Sequence, residues 1–271
     1  MKLEDLKFQP PMILLAGDYG SGKTAFSLTV GSRGYIIDVD NGLRTGMTLK
    51  DKFSEARRQV EVKPCWEEKT ERAVAWGKVK ETLKTVVQLV RAGKFDYDVL
   101  ILDCFTTLCD LCMRQMLQSS GILGKNPQIQ HWGLMNMELM NVLWSLKSLD
   151  ITVVMLAHTR NLETDSGMKA CLAIPGKALP PLIPPFFDEV WRIQSRRASQ
   201  GKFIRTLQTM SSPEFSAKTR FNVEDKTLVD DGLPEILKRM GFPLNKDKED
   251  VNVVKDVEVV SENQVTLKKE K

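Results

Sequence analysis

The sequence is short of several things, and each shortage excludes a class. No apolar stretch approaches the roughly 18 residues that a membrane-spanning helix needs. The first residues, Met1-Lys2-Leu3-Glu4-Asp5, lack the apolar core of a secretory signal. The five cysteines are an odd number, and no second Cys/His pair joins Cys109 and Cys112 to complete a zinc site. Reduced thiols at buried helical positions, in a cytoplasmic protein, are therefore expected. From Lys246 onward there is no aromatic residue, so 246–271 is expected to be a charged, disordered tail. Net charge is only +4, too little to argue for a polyanionic partner by itself. There is no internal repeat.

What is present begins at Met12. An apolar run ends in Gly17-Asp18-Tyr19-Gly20-Ser21-Gly22-Lys23-Thr24, a G-x-x-x-x-G-K-T loop between a strand and a helix. Such a loop turns successive backbone N–H groups around a phosphate. All eight residues are expected to bind ATP, with Lys23 on the β- and γ-phosphates and the Thr24 hydroxyl on Mg²⁺. Tyr35 to Asp40 reads as a second buried strand tipped by a carboxylate. Asp98-Val99-Leu100-Ile101-Leu102-Asp103 is a third, and Asp103 is the expected second ligand of Mg²⁺.

Apolar positions Val79, Leu83, Val86, Val87 and Val90 share one face of a helix predicted over 71–91. Two more helices are predicted before a fourth strand, Ile151 to Ala157, which delivers His158 at its end. A polar segment, 159–170, and a proline-rich stretch, 175–185, follow. Residues 189–193 and 203–207 flank Ser199-Gln200-Gly201 as a hairpin. A short strand within 214–230 and a helix from Leu233 to Met240 complete the pattern. Residues 41–70 receive no assignment. The chain thus divides into a lead-in (1–11), one α/β domain (12–245) and the tail. Its fold class is a doubly wound, mostly parallel sheet extended by antiparallel strands.

A hydrolytic ATPase needs a carboxylate to orient or deprotonate water. The residue after Asp103 is Cys104, which argues against AAA+ and transporter-type ATPases; Asp40 is the available base. A carboxylate ending the second strand, an aspartate without a following glutamate, and a polar residue ending the next strand together resemble the RecA-like P-loop core. That resemblance implies that Asp40 takes the place of the catalytic glutamate and that His158 senses the γ-phosphate. Within the group the chain resembles the phage RecA-like proteins of the single-strand annealing recombinase type. The likeness rests on Ala157-His158-Thr159, Gly176-Lys177 followed by Phe187-Asp188-Glu189-Val190, and Ala217-Lys218-Thr219-Arg220.

The resemblance implies an ATP-hydrolysing protein that binds single-stranded DNA and self-associates as a ring or filament. It further implies a single-strand-binding protein as a partner, no membrane, and the cytoplasm of a bacterial host. Two loops, 119–130 with Lys125 and 159–176 with Arg160 and Lys169, would face DNA, and His131 or Trp132 could stack a base. Lys218 and Arg220 resemble a finger that reaches the neighbouring subunit's ATP; failing that, the finger is sought at Lys177, Arg196 or Arg197. A DnaB-like motor or loader, a P-loop small-molecule kinase using Asp40, and a nucleotide-gated scaffold are the alternatives.

Overall fold

The computed structural model describes residues 8–68, 71–164, 167–176, 178–197, 203–225, 227–228 and 231–244. The expected lead-in lies partly, and the expected tail, 246–271, wholly outside them. Strand β1 (Met12–Gly17) is buried along its whole length. This is what an apolar run with no polar alternation requires in a sheet covered on both faces. It lies parallel to β5 (Thr152–Thr164) on one side and β7 (Glu189–Arg197) on the other. Beyond β5 come β4 (Val99–Asp103), β2 (Gly34–Asp38) and the short β3 (Glu61–Pro64), all parallel. Beyond β7, β8 (Phe203–Gln208) and the two-residue β9 (Thr227–Leu228) pair antiparallel. The spatial order is β3-β2-β4-β5-β1-β7-β8-β9, with β6 (Gly167–Leu172) paired only to β5.

Two cores cover the sheet. One face packs α4 (Ala75–Arg91), α5 (Phe105–Ser119) and α6 (Ile129–Lys147) through residues such as Trp76, Leu108 and Leu139. The other packs α1 (Lys23–Ser27), the 3-10 turn that continues it to Arg33, and α7 (Gly232–Arg239), through Phe26, Leu28 and Leu237. The sheet is therefore the doubly wound, mostly parallel one expected, extended by antiparallel strands. In the unassigned stretch 41–70 lie two single-turn helices, α2 (Arg44–Thr48) and α3 (Ser54–Arg58), as well as β3. None is long enough to show a hydrophobic period.

Several expectations are corrected. The second strand stops at Asp38, so Asp40 sits in the turn after it, where Asn41 has a left-handed φ of 55°. His158 does not end its strand. β5 continues six residues past it and folds back through β6 as a ribbon, Thr159 opposite Leu172 and Thr164 opposite Gly167. The outer residues of the ribbon, 160–163, are exposed and polar residues are at home there, while Thr159, Ala170 and Leu172 at its base are buried. His131 is buried inside the fold: its Nδ1 accepts the Gln128 N–H at 3.0 Å, and its Nε2 meets Ser120 Oγ at 3.0 Å, capping α6. It has no free face for a base. Trp132 packs half-buried on the core. The methionines of α6 divide, Met135 buried and Met137 exposed.

Candidate active site

Insertion of β5 between β1 and β4 decides where the side chains meet. Gly17 at the end of β1 is level with His158, and Asp38 at the end of β2 is level with Asp103. The loop leaving β1 thus faces the carboxyl ends of three neighbouring strands, where open α/β sheets hold their ligands. The loop is tight. A Cβ on Gly17 would lie 2.7 Å from both Ile193 O and Ser21 Oγ, so only glycine passes there. Gly22 has φ of 100°, a left-handed turn that lets Lys23 begin α1.

Lys23 is only 5% exposed. Its Nζ donates to Gly17 O at 2.9 Å and Asp18 O at 3.0 Å, and lies 3.2 Å from His158 Nδ1. The ammonium fills the cradle that the loop forms. Burial holds its pKa below the ordinary lysine value, opposed by Cys104, Asp103, Asp18 and Asp40. Thr24 donates its hydroxyl to Asp103 Oδ2 at 2.7 Å. The two expected magnesium ligands, 79 residues apart in sequence, are thus side by side. Burial pushes the Asp103 carboxyl up to about 7, with the Thr24 hydroxyl opposing. A carboxylate so desolvated, with no cation bonded to it, suits a divalent ion, which would make ionisation favourable.

Asp40 and His158 face each other, with Oδ2 3.9 Å from Nε2. Burial would raise the Asp40 carboxyl, but His158, Thr107 and Cys104 favour its charged form and hold it below the usual carboxylate value. Its Oδ1 is buried without a partner. Asp38 Oδ1 accepts the Asp40 N–H at 3.1 Å and so fixes the turn that carries this carboxylate. The His158 N–H is received by Thr106 Oγ1 at 3.0 Å, in the first turn of α5. Tyr19 from the phosphate loop stacks on the imidazole, ring centroids 4.1 Å apart. Ligand atoms of Asp40, Cys104 and His158 lie within 4.8 Å of one another, a second place where donors converge. The Cys104 thiol, pushed up to about 12 by burial first and then by Asp40, stays protonated.

Sequence reasoning missed three features. Thr159 Oγ1 hydrogen-bonds to Asp18 Oδ1, tying the phosphate loop to β5. Arg192 Nη2 lies 3.8 Å from Asp18 Oδ2. Arg205 on β8 packs against Gly22. The signal for the arginines lay in alternation along a hairpin, which identifies a face but not what the face meets.

The two expected finger residues lie at the other end of the sheet. Lys218 pairs with Val190 near the start of β7, and its Nζ donates to Phe187 O at 2.5 Å. Arg220 pairs with Asp188 at 2.8 Å. Neither joins this chain's own phosphate loop. Arg196 and Arg197 are exposed at the far end of β7, and Lys177 lies outside the described residues.

Comparison with known proteins fits this geometry. A family model with the description AAA domain matches residues 9–221, spanning the phosphate loop, Asp103 and β5. The chain belongs to that family. It is a P-loop ATPase. The lack of a carboxylate after Asp103 had set it apart from AAA+ proteins; the family match brings it under the AAA name with Cys104 in that place. No curated protein matches the chain. Among solved structures, a prototypical ATPase from the type III secretion system of pathogenic bacteria is similar at 11% identity and a TM-score of 0.47. The match covers 69% of this chain and 51% of that one, so the chain spans about half its length. No helix among the described residues is long and apolar enough to cross a membrane.

Proposed function

We propose that the protein is an ATP-dependent recombinase or annealing protein that binds single-stranded DNA and hydrolyses ATP at contacts between copies of itself. The observation that carries this reading is the course of β5. The strand passes His158 beside Lys23 and continues, without a break, into the ribbon that bears Arg160 and Lys169. Cations on a ribbon suit contact with a phosphate backbone, and that binding weakens as salt rises. A partner held on the ribbon would bias the residue that faces the nucleotide.

In the proposed reaction Lys23 binds the β- and γ-phosphates, and Thr24 and Asp103 hold Mg²⁺, which would neutralise charge on the phosphates. Asp40 orients the attacking water and takes up its proton; the free Oδ1 is suited to that. His158 donates a hydrogen bond to the γ-phosphate. Lys218 or Arg220 would act only on a neighbouring copy, since both sit at the opposite pole of the sheet. A single-strand-binding protein is the proposed further partner and the bacterial cytoplasm the proposed setting.

The test is ATP turnover with and without single-stranded DNA, paired with a strand-annealing assay. Stimulation by single strands, lost in the Arg160→Ala/Lys169→Ala protein, is expected. Directional duplex unwinding would instead indicate a DnaB-like motor, and phosphorylation of a small acceptor a kinase. Turnover indifferent to DNA, with no annealing, would overturn the proposal.

A further inference from the structure

Arg205 stands in β8, opposite Ser195 of β7. It shares a face with Leu207, which is buried in the core beneath α1. That face directs it at the phosphate loop. A Cβ placed on Gly22 would lie 2.7 Å from Arg205 Nε and 2.8 Å from its Cδ, so the guanidinium rests on the backbone immediately before Lys23. Its Nε is buried and has no hydrogen-bond partner.

The nearby carboxylate, Asp51, feels the charge of Arg205 but spends its hydrogen bonds on another residue. Asp51 is held by Arg57, whose Nη1 and Nη2 donate at 2.6 and 2.9 Å to its two oxygens. A second arginine by the loop, Arg192, already has Asp18 at 3.8 Å and the Phe215 ring at 5.6 Å from its Cζ. Arg192 Nε is likewise buried without a partner, but Arg192 has Asp18 and Phe215 beside its guanidinium; Arg205 has an unspent Nε and, among the described residues, no carboxylate within ion-pair distance. A permanently charged guanidinium with a buried, unbonded N–H is unfavourable unless an anion completes it. Among the described residues no acceptor is hydrogen-bonded to that N–H.

We propose that Arg205 is a ligand of the nucleotide's phosphates, supplied in cis from β8. It adds to Lys23 a second positive charge beside the loop, in each copy, independent of assembly. This also gives the glycine at 22 a second reason: a side chain there would displace the guanidinium. The inference needs only nucleotide binding and is independent of any action on DNA.

The experiment is a titration of the full chain with ATP, ADP and inorganic tripolyphosphate, comparing wild type, Arg205→Gln and Arg205→Lys. Arg205→Gln is expected to lose about tenfold in affinity for all three, with Arg205→Lys between it and wild type. The melting temperature without nucleotide should not fall, because no hydrogen bond in the empty protein is lost. Unchanged affinities for the folded variants would overturn the proposal. So would weaker ATP and ADP binding with tripolyphosphate unchanged, since the contact would then be to base or sugar. A fall in melting temperature with unaltered binding would equally overturn it and make Arg205 a packing residue.

Discussion

The two ends of the parallel sheet handle charge in opposite ways. At the amino end of β7, acids are fully partnered. Glu189, wholly buried, accepts Trp191 Nε1 at 2.6 Å, Thr219 Oγ1 at 3.1 Å, and the Arg220 and Phe221 N–H groups at 2.6 and 3.0 Å. Asp188 next to it accepts Met12 N–H, Lys147 and Arg220. At the carboxyl end, Ser21 Oγ, Asp40 Oδ1, Arg192 Nε and Arg205 Nε are buried without partners. There Asp103 is driven up to about 7 and Lys23 below its ordinary value. Buried polar groups are normally satisfied. One end is therefore finished by its own chain, and the other is complementary to something brought to it.

The largest test of that contrast is Lys23→Ala. ATP turnover should fall by about a thousandfold or more, while the folded circular dichroism spectrum persists; normal turnover would remove the basis of the site. Asp40→Asn should lower turnover by about a hundredfold or more and leave nucleotide affinity within a few-fold, measured by steady-state kinetics beside equilibrium binding. Equal losses in both would mean that Asp40 holds the nucleotide instead of acting on water.

The finished end should respond in stability alone. Glu189→Ala strands four donors, and urea denaturation should show a loss of about 3–5 kcal/mol. A loss under 1 kcal/mol would mean that the partnering there is dispensable. Asp103 supplies a pH test. Its folded pKa lies above the unfolded value, so the folded state binds the proton more tightly. This group's contribution to ligand-free stability falls as pH rises from about 4 to 7. Melting curves without Mg²⁺ should lose that part of their slope in Asp103→Asn. The smallest effect belongs to Arg220→Ala. The side chain is 56% exposed, so its pair with Asp188 contributes about 0.5 kcal/mol or less. A defect confined to assembled, ATP-hydrolysing protein would mark it as a residue acting on the neighbour.

Legibility in the sequence followed the same division. The phosphate loop, Asp103 and the buried strands were readable because each is a contiguous pattern. Their meeting at Thr24–Asp103 follows from sheet order. Asp40 could be named, but its place beyond the strand end could not, since Asp38 and Asp40 alternate alike in a tyrosine-to-aspartate run. The ribbon after His158 was hidden because polar residues on an isolated hairpin look like a loop. Arg205 was invisible for another reason. Its role depends on packing between β8 and a loop about 180 residues earlier, and no local period encodes that.

The ribbon's attachment gives it two connections to the sheet. From His158 to Thr164 it reaches about 20 Å at roughly 3.3 Å per residue. It is braced where Ala170 bridges to Phe215 and its N–H bonds to Glu214 O at 2.7 Å. Three residues on, Lys218 is bonded to Val190 of β7. Two bonded routes therefore leave that brace. The ribbon is thus bonded toward both ends of the sheet, to His158 through β5 and toward the Asp188–Arg220 corner through 215–218.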